Sequence, residues 1–380
     1  MDFSDEQEMM RKAVRDFVEK EVAPHASEWD AKDTCPVDVL RKMGGLGFLG
    51  TIVPTEYGGT GSGYTARAIV LEETARHSAG LAMAVMTHYL GVAPILNYGS
   101  EEQKRKFLPK LATGEYISGL ATTEPSGGSD LANQQTTAEL REGKWVINGK
   151  KCFITNFDIA DVTVVVAKTG VNEKGRAELS AFLIEKGTRG FEAGHKEDKL
   201  GLRSSTTGDL SLKDVEVEES SLLGKRGDGM KIALSTIGEV GRPGMAAIGL
   251  GITRGCLEEG VRFSKERIIY GKPLTNVQAI QFMIAENRVD YETAKLLTYR
   301  ATSLKDEGKK CDTECAMAKL YSTEASVRAA QRTIEIMGGY GVVNQYPVGR
   351  YLRDAVATIP SGGTSQIMKI IIGNDTVKQA

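Results

Sequence analysis

Cysteine and histidine are scarce in this chain, five and four among 380 residues. Cys35, Cys152, Cys256, Cys311 and Cys315 form an odd set, and the Cys311/Cys315 pair has no second pair or histidine near it in sequence. A zinc site and a disulfide framework are therefore not expected, and reduced thiols point to a cytoplasmic setting. Charge of one sign is lacking too: a formal net charge of -2 offers no electrostatic footprint for nucleic acid. No apolar run is read as reaching the roughly 18–20 residues that span a bilayer, so no membrane insertion is expected. The acidic start MDFSDEQEMMRK predicts neither a signal peptide nor a transit peptide. A GxGxxG opening a βαβ unit and a Walker-type loop are both missing, which disfavours a nicotinamide-binding domain and a P-loop enzyme.

What is there reads as an ordinary globular chain, 41% hydrophobic and 26% charged, long enough for two or three domains. Ser4 with Gln7 predicts a capping box, and Met10, Ala13, Val14, Phe17 and Val18 recur at helical spacing until Pro24. A glycine-rich loop over 54–63 precedes an apolar helix pair over 64–98. The period then changes. KWVI and KCFIT flank Asn148-Gly149, which predicts a hairpin turn there, and VTVVVAKT, LSAFLIEK and LSLKDVEV read as further strands. Helical spacing returns near 230–268, 275–307, 313–338 and 364–378. The expected class is α+β: an N-terminal helical domain (1–117), a middle antiparallel β-barrel or sandwich (118–226) and a C-terminal four-helix bundle (227–380).

The segment ATTEPSGGSD (121–130) offers backbone N–H groups and hydroxyls, which suit a pyrophosphate or a flavin edge as well as a solvated turn. It stands in one order with KCFITN (151–156), ERIIYGKPLTNVQAIQ (266–281), GGYG (338–341), RYLRDA (350–355) and GGTSQI (362–367). In that order and spacing the motifs resemble the acyl-CoA dehydrogenase family over nearly the whole chain. The resemblance implies FAD, an acyl-CoA thioester substrate, a homotetramer and an electron-transferring flavoprotein as electron partner. It matches Thr123 to a flavin hydrogen bond, Ser129 to the FAD pyrophosphate, Phe153 to the aromatic beside the isoalloxazine and Thr155 to flavin N5. Arg267, Tyr270 and Gln278 match residues that reach a neighbouring subunit's FAD. Gly338 and Gly339 match close-approach glycines, and Thr364 and Gln366 match the pair on the adenosine side. Core packing is the alternative for Phe153 and Tyr270, and a surface ion pair for Arg267. Glu335 stands where the family commonly has glutamine facing the FAD phosphates. Arg242 matches an arginine at the CoA site, and Tyr89, Met245, Ser361 and Gly363 fall at the acyl pocket.

Two departures bear on the reaction. In the family a carboxylate removes the proton α to the thioester carbonyl while the β-hydrogen leaves as hydride. That glutamate belongs to a Tyr-Glu-Gly-Thr pattern, which here reads Ser361-Gly362-Gly363-Thr364. A minority of relatives carry it just before the arginine matched by Arg242, where this chain has Gly241. Glu239, two residues earlier, is turned about 200° around an α-helix from that position. His88 is the remaining candidate for moving a proton, against a structural role on an apolar helix. The resemblance therefore implies a redox enzyme on an unusual thioester, such as a cyclohexene-carboxyl-type acyl-CoA. The alternatives are an enoyl-CoA reductase running the reverse reaction and a non-oxidising desulfinase-like relative. The desulfinase needs a pocket cation, which the segment 79–91 lacks. A flavin monooxygenase and an acyl-CoA sensor share the same scaffold.

Overall fold

The Ser4 side chain accepts from the Gln7 N–H while the Gln7 side chain returns the bond, so the expected capping box opens α1 (Asp5–Glu21). A computed structural model describes residues 3–379 apart from 172 and 174. After α1 come α2 (Ala26–Lys32), α3 (Val37–Gly45), α4 (Gly63–Ala75), α5 (Ala79–Tyr98) and α6 (Glu101–Ala112). Every residue of α4 from Thr65 to Ala75 is buried, because the helix lies between α1, α5 and the C-terminal helices. Contrary to the sequence reading, α5 is long and apolar enough to cross a membrane, 20 residues at a mean hydropathy of 1.5. In sequence Thr87, His88, Tyr89 and Asn97 interrupt the run. In the fold 83% of its most apolar stretch is buried inside the protein, which accounts for the composition by core packing.

The middle strands are β1 (Ser118–Ala121), β2 (Thr137–Arg141), β3 (Lys144–Thr155), β4 (Val162–Val171), β5 (Ala177–Glu185), β6 (Phe191–Lys196), β7 (Thr207–Glu218) and β8 (Leu222–Leu223). They form one sheet in the order β6-β7-β3-β2-β4-β5-β8, with β1 on β4. Pairing is antiparallel except that β1 and β2 run parallel to β4. Trp145, Phe182, Leu210 and Val215 build the core of this region, with the Trp145 and Phe182 rings edge to face at 5.2 Å.

The hairpin turn is not at Asn148-Gly149. The chain turns at Glu142 and Gly143, whose φ of 50° and 80° suit the primed turn that matches strand twist. Asn148-Gly149 is instead a bulge within β3, where the pairing to β7 slips between Ile147 and Gly149. The Asn148 side chain bonds Asp214 twice, at 3.0 and 2.8 Å. Glycine is required because a Cβ there would lie 2.7 Å from the Thr136 Cα. The same dipeptide serves a turn or a bulge, and the partner strand decides.

The C-terminal part holds α7 (Gly229–Thr236), a π-helical turn (Ile237–Gly241), α8 (Arg242–Glu266), a ribbon of β9 (Ile268–Ile269) and β10 (Lys272–Pro273), then α9 (Gln278–Asp306), α10 (Asp312–Met337), α11 (Val348–Thr358) and α12 (Ser365–Gln379). Helix α11 was not expected. Gly251 lets α8 press on α4, since a Cβ would meet the Glu72 carbonyl at 2.4 Å. Buried Glu72 and Glu73 of α4 tie the layers together. Glu72 takes Arg11 at 3.0 Å and the Tyr291 and Tyr299 hydroxyls, and Glu73 takes Arg254 at 2.7 Å.

Candidate active site

Helices α4, α5 and α8 and the loop before α12 converge on the two glycines. A Cβ at Gly362 would lie 3.0 Å from the Met245 Cγ and 3.7 Å from the Gly241 carbonyl oxygen. A Cβ at Gly241 would meet Leu90 at 3.5 Å. The fold thus brings together both positions to which the resemblance assigns a base, and places fully buried Met245 against Gly362. Gly362 has a φ of 66° and Gly363 one of 102°, a left-handed pair that only glycine adopts without strain. The Ser361 hydroxyl turns back to the Ala357 carbonyl at 3.0 Å.

Glu239 lies in the π-helical turn. Its carboxylate accepts from the Tyr64 hydroxyl and, at 2.7 Å, from Asn97 Nδ2. Arg242 follows the turn, half-buried, with a buried Nε that has no partner among the described residues. Burial draws its pKa below the ordinary arginine value, against the pull of Asp312 and Cys315.

His88 is fully buried, and its Nδ1 accepts from the Ser118 N–H at 3.2 Å. Burial lowers its pKa to about 4, so the ring is neutral and its place is that of a tether between α5 and β1. The Tyr89 hydroxyl donates to the Phe48 carbonyl at 2.9 Å and accepts from the Thr51 N–H at 3.1 Å. Its contribution to the pocket is therefore the ring, which lies 5.5 Å from the Arg67 guanidinium carbon.

Arg67 was missed by the sequence reading. It reaches the site from α4 rather than from 79–91, and donates through Nη1 to the Val240 carbonyl at 2.9 Å. The available signal was a lone cation inside the apolar stretch TARAIVL.

The residues matched to FAD lie elsewhere and are mostly open to solvent. Phe153 is 64% exposed and Tyr270 100%, both at positive φ, so neither ring packs in the core. Arg267 stacks its guanidinium over the Tyr340 ring at 5.4 Å. Gln278, Glu335, Gly338 and Gly339 are exposed, and a Cβ at either glycine would meet nothing within 4 Å. Thr123 is half-buried and Ser129 exposed on a loop pinned by Glu124, which takes buried Lys151 at 2.6 Å and the Thr136 N–H at 3.1 Å. Thr155, nearly buried, shares a 3.2 Å hydrogen bond with Thr207. Thr364 caps α12 by accepting from the Ile367 N–H at 3.3 Å, and Gln366 is exposed. Between them the buried Ser365 hydroxyl has no partner among the described residues. Solvent-facing aromatics on constrained backbone, side-chain-free glycines and an orphaned hydroxyl beside Thr364 fit a large planar cofactor with a polar tail.

Comparison with known proteins gives the family. Three family models match: acyl-CoA dehydrogenase N-terminal domain over residues 4–115, middle domain over 119–215 and C-terminal domain over 227–376. An acyl-CoA dehydrogenase of Bacillus subtilis is 42% identical over 373 residues, covering 98% of each chain. The structure of butyryl-CoA dehydrogenase from Megasphaera elsdenii superposes with a TM-score of 0.96 at 36% identity, covering 99% of each chain. That of a glutaryl-CoA dehydrogenase from Mycobacterium smegmatis, in complex with FADH2, gives 0.92 at 29% identity, over 98% of this chain and 95% of that one. With its helix–sheet–helix order and full-length likeness to these enzymes, the chain belongs to the acyl-CoA dehydrogenase family, whose cofactor is FAD.

Proposed function

We propose that this enzyme acts on a non-standard CoA thioester, an alicyclic acyl-CoA of the cyclohexene-carboxyl type. The observation that carries this reading is the pair Gly241 and Gly362, brought together beside Met245 with no carboxylate at either position. Glu239 does not substitute for them, because Tyr64 and Asn97 hold both of its oxygens. An acyl group whose acidic proton lies away from the α-carbon has no use for a base at residue 362.

FAD, when bound, supplies the hydride-accepting chemistry. Phe153, Thr155 and Thr123 would hold its ring, Ser129 its pyrophosphate, and Thr364 and Gln366 its adenosine side. Gly338 and Gly339 leave room for backbone approach, and Glu335 flanks the phosphates. Arg267, Tyr270 and Gln278 reach outward from this chain, which suits service to a neighbouring subunit's cofactor. Exposed Phe282, Val289 and Leu296, seven residues apart on α9, supply an apolar stripe for a homotetramer. Arg242 binds the CoA end, and Met245, the Tyr89 ring and the side-chain-free Gly363 shape the acyl end. Electrons leave to an electron-transferring flavoprotein, and the setting is cytoplasmic.

The test is an anaerobic titration of the purified yellow protein. Cyclohexene-carboxyl-CoA should bleach the flavin band in stoichiometric amount, whereas butyryl-CoA should leave it nearly unchanged. Bleaching by butyryl-CoA at the same rate would sink the reading. The enoyl-CoA reductase alternative runs the same site backwards, and dye-reduced enzyme oxidised by a cyclic dienoyl-CoA identifies it. A desulfinase-like reading gains from Arg67, a buried cation that reaches the site from α4 although segment 79–91 has none, and sulfite release identifies it.

A further inference from the structure

Several deeply placed arginines of this chain have a carboxylate partner, and buried Arg350 is held instead by the Ser27 hydroxyl and the His77 carbonyl. Arg11 has Glu72 at 3.0 Å, Arg254 has Glu73 at 2.7 Å and Arg76 has Glu258 at 2.9 Å. Arg67 differs. It is fully buried, yet among the described residues its Nε and Nη2 have no hydrogen-bond partner, and its Nη1 meets only the Val240 carbonyl. The nearest acid to exert a charge on it, Glu239, is occupied by Tyr64 and Asn97. A buried guanidinium left half-unsatisfied is costly, and an anion from outside would complete it.

The free atoms are the informative ones. Nε and Nη2 lie along one edge of the guanidinium, the edge that takes a carboxylate through two parallel N–H···O bonds. Neighbouring groups hold the fork in place: the Tyr89 ring at 5.5 Å, and Gly244, where a Cβ would stand 3.3 Å from Nη1. Gly244 adjoins Met245, the residue against Gly362. The cation therefore sits about one residue from the site left empty of acidic side chains, in a region where both glycines are neutral.

We propose that Arg67 is a specificity-determining residue that binds a carboxylate carried by the acyl group, so that the substrate is the CoA monothioester of a dicarboxylic acid, open-chain or alicyclic. This rests on the acyl pocket proposed above and narrows its occupant: the uncharged cyclohexene-carboxyl group would fit the pocket, and a second carboxylate on such an acyl group would add the contact to Arg67. The CoA end is common to all acyl-CoA ligands, so discrimination lies in the acyl end alone.

Binding of glutaryl-CoA and pentanoyl-CoA, matched in length and differing in the terminal carboxylate, tests it by calorimetry on the FAD-loaded protein. The wild type should bind glutaryl-CoA about 30-fold or more tightly than pentanoyl-CoA. Arg67→Met should erase the preference, leave pentanoyl-CoA affinity unchanged, and keep or raise the melting temperature of the ligand-free protein, because it removes an unpaired charge. Arg67→Lys, which retains charge and stem but loses the fork, should keep about a tenth of the preference. Equal affinity of the wild type for the two thioesters overturns the assignment while leaving the acyl pocket standing. So does an undiminished preference in Arg67→Met or, should that variant not fold, in Arg67→Lys. Failure of the wild type to bind either thioester overturns the pocket, and the assignment with it.

Discussion

Around Met245, Tyr89 and Gly362 the side chains already have neighbours, whereas around Phe153 and Tyr270 the same chain leaves aromatic rings in solvent. The first region is closed by three helices of one polypeptide, and its unpartnered polar atoms among the described residues include those on Arg67, Arg242, Thr87 and His88. The second is open, held in shape by positive-φ backbone and by the buried Glu124–Lys151 pair rather than by packing over its surface. The difference teaches where specificity and assembly are decided. The closed side discriminates by what this chain alone encloses, and the open side is completed by cofactor and neighbour.

The comparison is broken most severely by attacking the closed side. Glu72→Ala strips the counter-charge from buried Arg11 and the acceptor from Tyr291 and Tyr299. It should cost about 3–5 kcal/mol in urea unfolding; a loss under 1 kcal/mol would mean that α4 is not the keystone of the closed side. His88 gives the next effect. Its folded pKa near 4 lies below the ordinary value, so the unfolded chain takes up the proton first as pH falls. Stability is therefore lost between about pH 6.5 and pH 4, by on the order of 3 kcal/mol at full protonation of the unfolded state. His88→Asn should flatten this pH dependence in paired denaturation curves at pH 7 and pH 4.5, and parallel curves would refute the neutral tether.

Gly362→Glu sharpens the comparison from within the site. Its φ of 66° makes the side chain cost about 1–2 kcal/mol, and the Met245 Cγ must yield. Turnover of butyryl-CoA should rise nonetheless; a folded, substrate-binding variant with no gain would refute the account of the missing base. On the open side stability should scarcely move. Tyr270→Ala should change unfolding free energy by no more than about 0.5 kcal/mol, while FAD retained through desalting falls. Phe282→Glu should be as mild for the isolated fold yet yield smaller species in light scattering. A large stability loss from either would show that the open side is packed after all.

Periodicity made the helices, strands, helices order legible, because amphipathic helices and alternating strands leave local signatures. It failed where a local signal serves two geometries. Asn148-Gly149 became a bulge because β7 continues past it, and α5 hid its apolar length behind a few polar residues whose partners, Ser118 and Thr51, lie on other elements. The glycines at 241 and 362 were visible as departures, but their mutual approach needed α8 and the loop before α12 in place. Arg67 left only one signal, a lone cation in an apolar stretch, which by itself does not point to a site. Nothing in TARAIVL tells that the helix is buried on all sides, and a lone arginine ordinarily faces water.

The π-helical turn at Ile237–Gly241 places one residue more in its circuit than an α-turn does. Everything upstream on that rod is thereby rotated relative to everything downstream, as a gear slipped by one tooth. Glu239 owes its outward bearing toward Tyr64 and Asn97 to that offset, and Val240 owes to it a carbonyl free to receive Arg67. Excising Gly238 from this turn would re-mesh the rod, swing the acid and the carbonyl to new bearings, and alter the electrostatics of the pocket with Gly241 and Gly362 both retained.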